Sequence, residues 1–150
     1  LEQLYKGGIN PVRREDLSLA LKGRTHITNH LRDILQNAAK EVIICLNAEE
    51  MKSKMKLFQQ TFDNLKKANI KIKVALSGDD VLIKKISEVL KIKVSKIDID
   101  TKFFIVDRKE ILFYLLKNNE NNDEDIAIWL KSEFFADAFT SLFERAMKER

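Results

Sequence analysis

Apolar positions recur along this chain in two rhythms. Across residues 24–40, Ile27, Leu31, Ile34, Leu35 and Ala38 fall at the three-to-four-residue spacing of one helix face. Residues 42–46 form a short, continuous and mostly β-branched run, the pattern of a strand buried on both sides. Asn47 is a good helix cap, and Glu49 and Glu50 in the first turn suit the positive end of a helix dipole. Met51, Met55, Phe58, Phe62, Leu65 and Ala68 then continue as one stripe, which predicts a single helix from Asn47 to Ala68. Residues 70–76 alternate apolar side chains with lysines, the mark of a strand with one buried face. Ser77-Gly78-Asp79-Asp80 is a turn and a helix start, followed by a short amphipathic helix over residues 81–90.

Beyond Leu90 the rhythm changes. Residues 91–97, 102–106, 110–116 and 125–130 all read as strands, and Arg108-Lys109 leaves room for no more than a hairpin turn. Residues 117–124 are a polar loop. Ser132 caps a last helix reaching about Lys148, whose broad apolar face holds Phe134, Phe135, Ala138, Phe139, Leu142, Phe143, Ala146 and Met147. A face that wide is also a dimerisation surface if its own domain leaves part of it uncovered. The first half predicts parallel strands with covering helices, and the hairpin predicts antiparallel strands in the second half. The expected fold class is therefore α/β with a mixed sheet. No repeat of solenoid period is present.

A length of 150 residues fits one domain with a core of ordinary size. The hydrophobic content of 45% is too high for a disordered chain, and no apolar run is long enough to span a membrane. Residues 1–10 carry charges and a Gly pair with no apolar stretch of signal-peptide type, so none is expected. The single Cys45 lies within a strand-like run and has no internal disulfide partner, which points to a core cysteine and a reducing cytoplasm.

Charge is unevenly distributed. Residues 52–96 hold 12 lysines against 4 acids, whereas residues 97–150 hold 8 basic and 12 acidic residues. All the basic residues in the middle segment are lysines spread over helix and strand faces, which fits a solvated surface better than a nucleic-acid groove. His26 and His30 stand four apart on the first helix, a spacing that suits two imidazoles on one zinc. No third ligand is signalled, so two surface histidines are expected and no metal. Neither a nucleophile elbow nor a Gly-rich phosphate loop occurs. The expectation is a chain without catalytic residues or cofactors.

One stretch carries more information. Residues 100–107, DTKFFIVD, place Asp100 and Lys102 two apart, so that on a strand they point the same way, with Asp107 just past the strand on the turn. This resembles the H-x-K-x4-D motif of the phospholipase D superfamily, in which the histidine is the nucleophile and the lysine holds the phosphate. Lys102 and Asp107 match with the right spacing, and Asp100 stands where the histidine would be. A carboxylate there would repel a phosphodiester rather than attack it. A second resemblance covers residues 20–148. Leu21-Lys22-Gly23-Arg24, the run from Asn37 to Ile44, and the close from Ile126-Ala127-Ile128-Trp129 through Leu142-Phe143-Glu144 are similar to the phospholipase-D-like sensor domain of archaeal TrmB-family transcriptional regulators.

That resemblance implies a phospholipase-D-like mixed sheet flanked by helices, without catalysis. It implies an effector-sensing or dimerisation role over residues 11–150, a homodimer, a small-molecule effector, and DNA contact through a winged-helix domain outside these residues. Leu1, Leu4 and Tyr5, spaced as one helix face before Gly7-Gly8, would be the end of the joining helix at residues 1–10. Ligands of open α/β sheets sit beyond the carboxyl ends of parallel strands, which picks out Asn47 and Ser77. With the motif positions Asp100, Lys102 and Asp107, these are the expected ligand-binding residues. The alternative function is a phosphodiester hydrolase or nuclease of the same fold.

Overall fold

Seven strands hydrogen-bond into one sheet in the computed structural model, which describes residues 17–115 and 125–148. In chain order the elements are β1 (Leu17–Lys22), α1 (Arg24–Gln36), β2 (Glu41–Asn47), α2 (Ala48–Ser53), α3 (Met55–Lys67), β3 (Lys71–Ser77), α4 (Asp80–Leu90), β4 (Val94–Lys96), β5 (Phe103–Val106), β6 (Glu110–Tyr114), β7 (Ile126–Lys131) and α5 (Glu133–Lys148). The strand order is β1-β7-β6-β5-β2-β3-β4. The trio β2, β3 and β4 is parallel, and every other neighbour pair is antiparallel. This is the mixed α/β sheet that the sequence implies. The joining helix expected at residues 1–10 and the loop at 117–124 lie outside the described residues.

Alternation along the strands sends side chains to two cores. One face carries Val42, Ile44, Leu46, Val74, Leu76, Phe104 and Leu112 under the inward stripes of α1, α2, α3 and α4. The other carries Ile43, Cys45, Ala75, Phe103, Ile105 and Ile111 under α5, where Ala136, Phe139, Phe143 and Met147 face inward. Burying each such side chain stabilises the fold by roughly 1.5–3 kcal/mol before entropy is counted. Cys45 is wholly buried, and burial first, then the nearby Asp100 charge, pushes its thiol up to about 12. It is a core residue rather than a nucleophile.

The elements depart from expectation in four places. The predicted helix from Asn47 to Ala68 is two helices, because Lys54 leaves helical geometry at φ −118°. The strand expected from residue 91 starts only at Val94: Lys91 ends α4 in the left-handed conformation, and Ile92 N–H returns to the Ser87 carbonyl. The hairpin turn sits one residue earlier than expected, with Asp107 and Arg108 both at positive φ. β1 was not expected at all; it pairs with β7 across more than a hundred residues of sequence.

Candidate functional site

The carboxyl ends of β2 and β3 lie side by side, with Asn47 opposite Ser77 in the parallel register. Asn47 caps α2, its side-chain oxygen accepting from Glu49 N–H at 2.7 Å. Ser77 is 6% exposed, and its hydroxyl oxygen is buried without a hydrogen-bond partner among the described residues. Gly78 follows at φ 117°, a conformation that favours glycine, and Asp79 caps α4 through Leu82 N–H at 3.0 Å. Two chain reversals are thus pinned beside each other at one end of the sheet.

Lys102 reaches the same end from the start of β5. Its ammonium is ion-paired with Glu50 of α2 and lies 3.9 Å from the centre of the Tyr114 ring on β6. Glu50 also meets Lys54 at 3.5 Å, one turn further along. Beside them Arg24, the first residue of α1, pairs with Asp125 at 3.4 Å, and Gly23 N–H donates to the Asp125 carbonyl at 2.8 Å. Burial lowers the Lys102 ammonium to about 8, with Asp125 opposing the shift and Arg24 adding to it. Burial likewise lowers Lys54, with Arg24 adding and Asp125 opposing, and raises the Tyr114 hydroxyl. The result is a compact cluster of three cations and two carboxylates against an aromatic face.

The five residues expected at the site are not brought together as one group. Asn47, Ser77 and Lys102 share the carboxyl end of the parallel strands. Asp100 is exposed and precedes β5, which opens only at Phe103, so the strand alternation that would have aligned it with Lys102 does not extend to it. Its charge acts on Cys45 instead. Asp107 stands at the opposite end of β5, roughly 15 Å away at ~3.3 Å per residue. Its carboxylate accepts from the N–H groups of Ala39, Lys40 and Glu41 at 2.9, 2.7 and 3.0 Å. That clamp ties the hairpin to the α1–β2 connection and uses the side chain structurally. Glu50, Lys54, Tyr114, Arg24 and Asp125 complete the Lys102 cluster but were not singled out as site residues. Only Arg24 carried a signal, as part of the Leu21-Lys22-Gly23-Arg24 stretch.

His26 is exposed, whereas His30 turns inward, its ring 4.9 Å from Trp129 in an edge-on contact. The two histidines are therefore not a matched surface pair. No group of three metal-ligating side chains occurs among the described residues. None of the described helices is long and apolar enough to cross a membrane. A separate groove of about 480 Å³ runs between α1 and α3, with Leu31, Leu35 and Phe58 at its floor and Arg32, Gln60 and Asn64 along its rim.

An open mixed sheet of this order, with helices on both faces, defines a phospholipase-D-like α/β domain. Solved structures share it. Nuc, a phospholipase D family member from Salmonella typhimurium, aligns with a TM-score of 0.65 at 10% identity over 88% of this chain and 94% of its own. NucT from Helicobacter pylori aligns at 0.62 and 10% over 89% and 97%. TrmBL2, described as an archaeal chromatin protein with a novel mode of DNA binding, aligns at 0.61 and 14% over 88% of this chain and 52% of its own. The chain thus spans about half the length of TrmBL2. No curated protein matches it. The family model "Transcriptional regulator TrmB, EBD N-terminal subdomain" matches residues 19–148, and the chain belongs to that family.

Proposed function

We propose that this domain is the effector-sensing module of a TrmB-type transcriptional regulator and that it does not catalyse phosphodiester hydrolysis. Family membership supports the regulator. The observation that carries the sensing role is the Lys102 cluster: a half-buried cation at the carboxyl end of parallel strands, held by Glu50 of α2 and Tyr114 of β6 beside the Arg24–Asp125 pair. Asp100 at the position of the nucleophilic histidine is what argues against chemistry. The module acts by population shift, an effector favouring one arrangement of the domain over another. DNA binding is assigned to a winged-helix domain outside these residues. Pairing of two copies is assigned to the outer face of α5, where Phe134 and Leu142 are 88% and 64% exposed.

A metabolite panel tests this reading by thermal shift. One compound should stabilise the wild-type chain saturably, and Lys102→Ala should lose that response while remaining folded. A panel without effect, or an effect indifferent to Lys102→Ala, removes this site from the sensing role. Turnover of a generic diester by the wild-type chain above its His26→Ala/His30→Ala variant would favour a hydrolase instead.

A further inference from the structure

Glu50 is the one carboxylate that serves two ammonium groups in the cluster. It pairs with Lys102 beneath it and with Lys54 beside it at 3.5 Å, while Asp125 is engaged by Arg24 at 3.4 Å. Exposure is graded across these groups. The Lys102 side chain is 17% exposed, at the bottom, whereas Glu50 and Lys54 are 34% and 29% exposed, toward solvent. A dissolved anion can therefore reach the place where the Glu50 carboxylate sits. Removing that carboxylate would leave three cations facing a single acid, with Lys102 desolvated and lacking its counter-ion. Glu50 is carried on α2, six residues long, anchored by buried Ala48 and Met51 and separated from α3 by the break at Lys54. A carboxylate on so short a helix can leave its partner without dismantling a larger element.

We propose that Glu50 is a tethered occupant of an oxyanion site, and that the ligand of this domain is a phosphate- or carboxylate-bearing solute that displaces it from Lys102 and Lys54. This rests on the carboxyl-end cluster being the effector site. Glu50 meets both ammonium groups through a single carboxylate oxygen, so either anion can bridge them, and the second negative charge of a dianionic phosphate favours it over a lone carboxylate beside three cations. Exchange breaks the link between α2 and the start of β5, so ligand occupancy becomes a loosening of α2.

The test is calorimetric titration of inorganic phosphate and, separately, acetate into the whole chain at constant ionic strength. Wild type is compared with Glu50→Ala, Glu50→Gln and the double variant Glu50→Ala/Lys102→Met. Phosphate should bind Glu50→Ala at least about tenfold more tightly than wild type, with acetate weaker. The gain should vanish in the double variant. Glu50→Gln keeps the length and removes the charge, so it reports the same gain if the alanine variant fails to fold. Equal phosphate affinity in wild type and in whichever Glu50 variants fold overturns the proposal. An effector from the metabolite panel that depends on Lys102 but is unaffected by Glu50→Ala also overturns it, while leaving the sensing site in place. A phosphate gain in Glu50→Ala with no Lys102-dependent effector supports the tethered anion and overturns the sensing role.

Discussion

Lys102 holds its proton weakly because burial penalises the ammonium, lowering it to about 8. The unfolded chain keeps that proton until about 10.4. Between these values the unfolded state binds more protons, so this group makes stability rise with pH over that window and contributes no change below it. Lys102→Met should remove that rise, which unfolding midpoints measured from pH 7 to 10 would check; identical slopes would refute the lowered value. Asp107 illustrates the opposite use of a charge. Its carboxylate collects three backbone N–H groups, so Asp107→Ala should cost about 2–3 kcal/mol in urea unfolding and leave effector affinity unchanged. A loss of affinity without loss of stability would place Asp107 in the ligand site after all. In the sequence, the motif groups Lys102 and Asp107 as one site, although the strand run between them already sets them at its two ends. The role of Glu50 was hidden: a glutamate in a first turn is ordinary helix chemistry, and its partner lies 52 residues away.

At the scale of elements, α5 is fastened to the sheet by both packing and charge. Phe103 meets Phe139 and Phe143 edge-on at 5.0 and 5.2 Å. Glu144 is hydrogen-bonded by Lys73, and both its carboxylate oxygens accept from Nη2 of Arg108 at 3.1 Å. The Lys73 hydrogen bond, with the Lys73 and Arg108 charges, holds the Glu144 carboxyl below the usual range. Its stabilisation is therefore full above the unfolded value of about 4.3 and fades as pH falls through the depressed one. Glu144→Gln should lower stability by about 1 kcal/mol at pH 7, and the gap should close in acid; a gap independent of pH would exclude the ion pair as its cause. Most elements were legible because each buries one periodic stripe. The Asn47 and Ser132 caps were legible too, and both make their hydrogen bonds. β1 was not, although Leu17, Leu19 and Leu21 alternate. Its pairing depends on a distant strand, which local pattern does not contain. Nor did pattern reveal the break at Lys54, since the apolar stripe runs straight across it.

For the whole molecule, two cores on either side of one sheet leave the outer side of α5 as an apolar strip. If two copies meet there, Leu142→Glu should convert a dimer to a monomer in sedimentation while far-ultraviolet dichroism stays unchanged. A wild-type chain that is already monomeric at high concentration would remove this surface from consideration. The phospholipase-D-like class was accessible from sequence through a degenerate motif, and the sheet order explains why so little of it suffices. The parallel trio and the hairpin beside it fix the topology, and Lys102 sits where they join.

The pairing of β1 with β7 also sets a timetable. Leu21 finds Ala127, and Gly23 closes on Asp125, only after nearly the entire domain has been synthesised. Such distant closures carry a large loop entropy and come late in folding. The Arg24–Asp125 contact belongs to this last seam, so the charged cluster is complete only in a finished domain. A chain cut short before Asp125 would carry Lys102 and Glu50 yet lack that contact, so the proposed response to a ligand would demand synthesis at least through the start of β7.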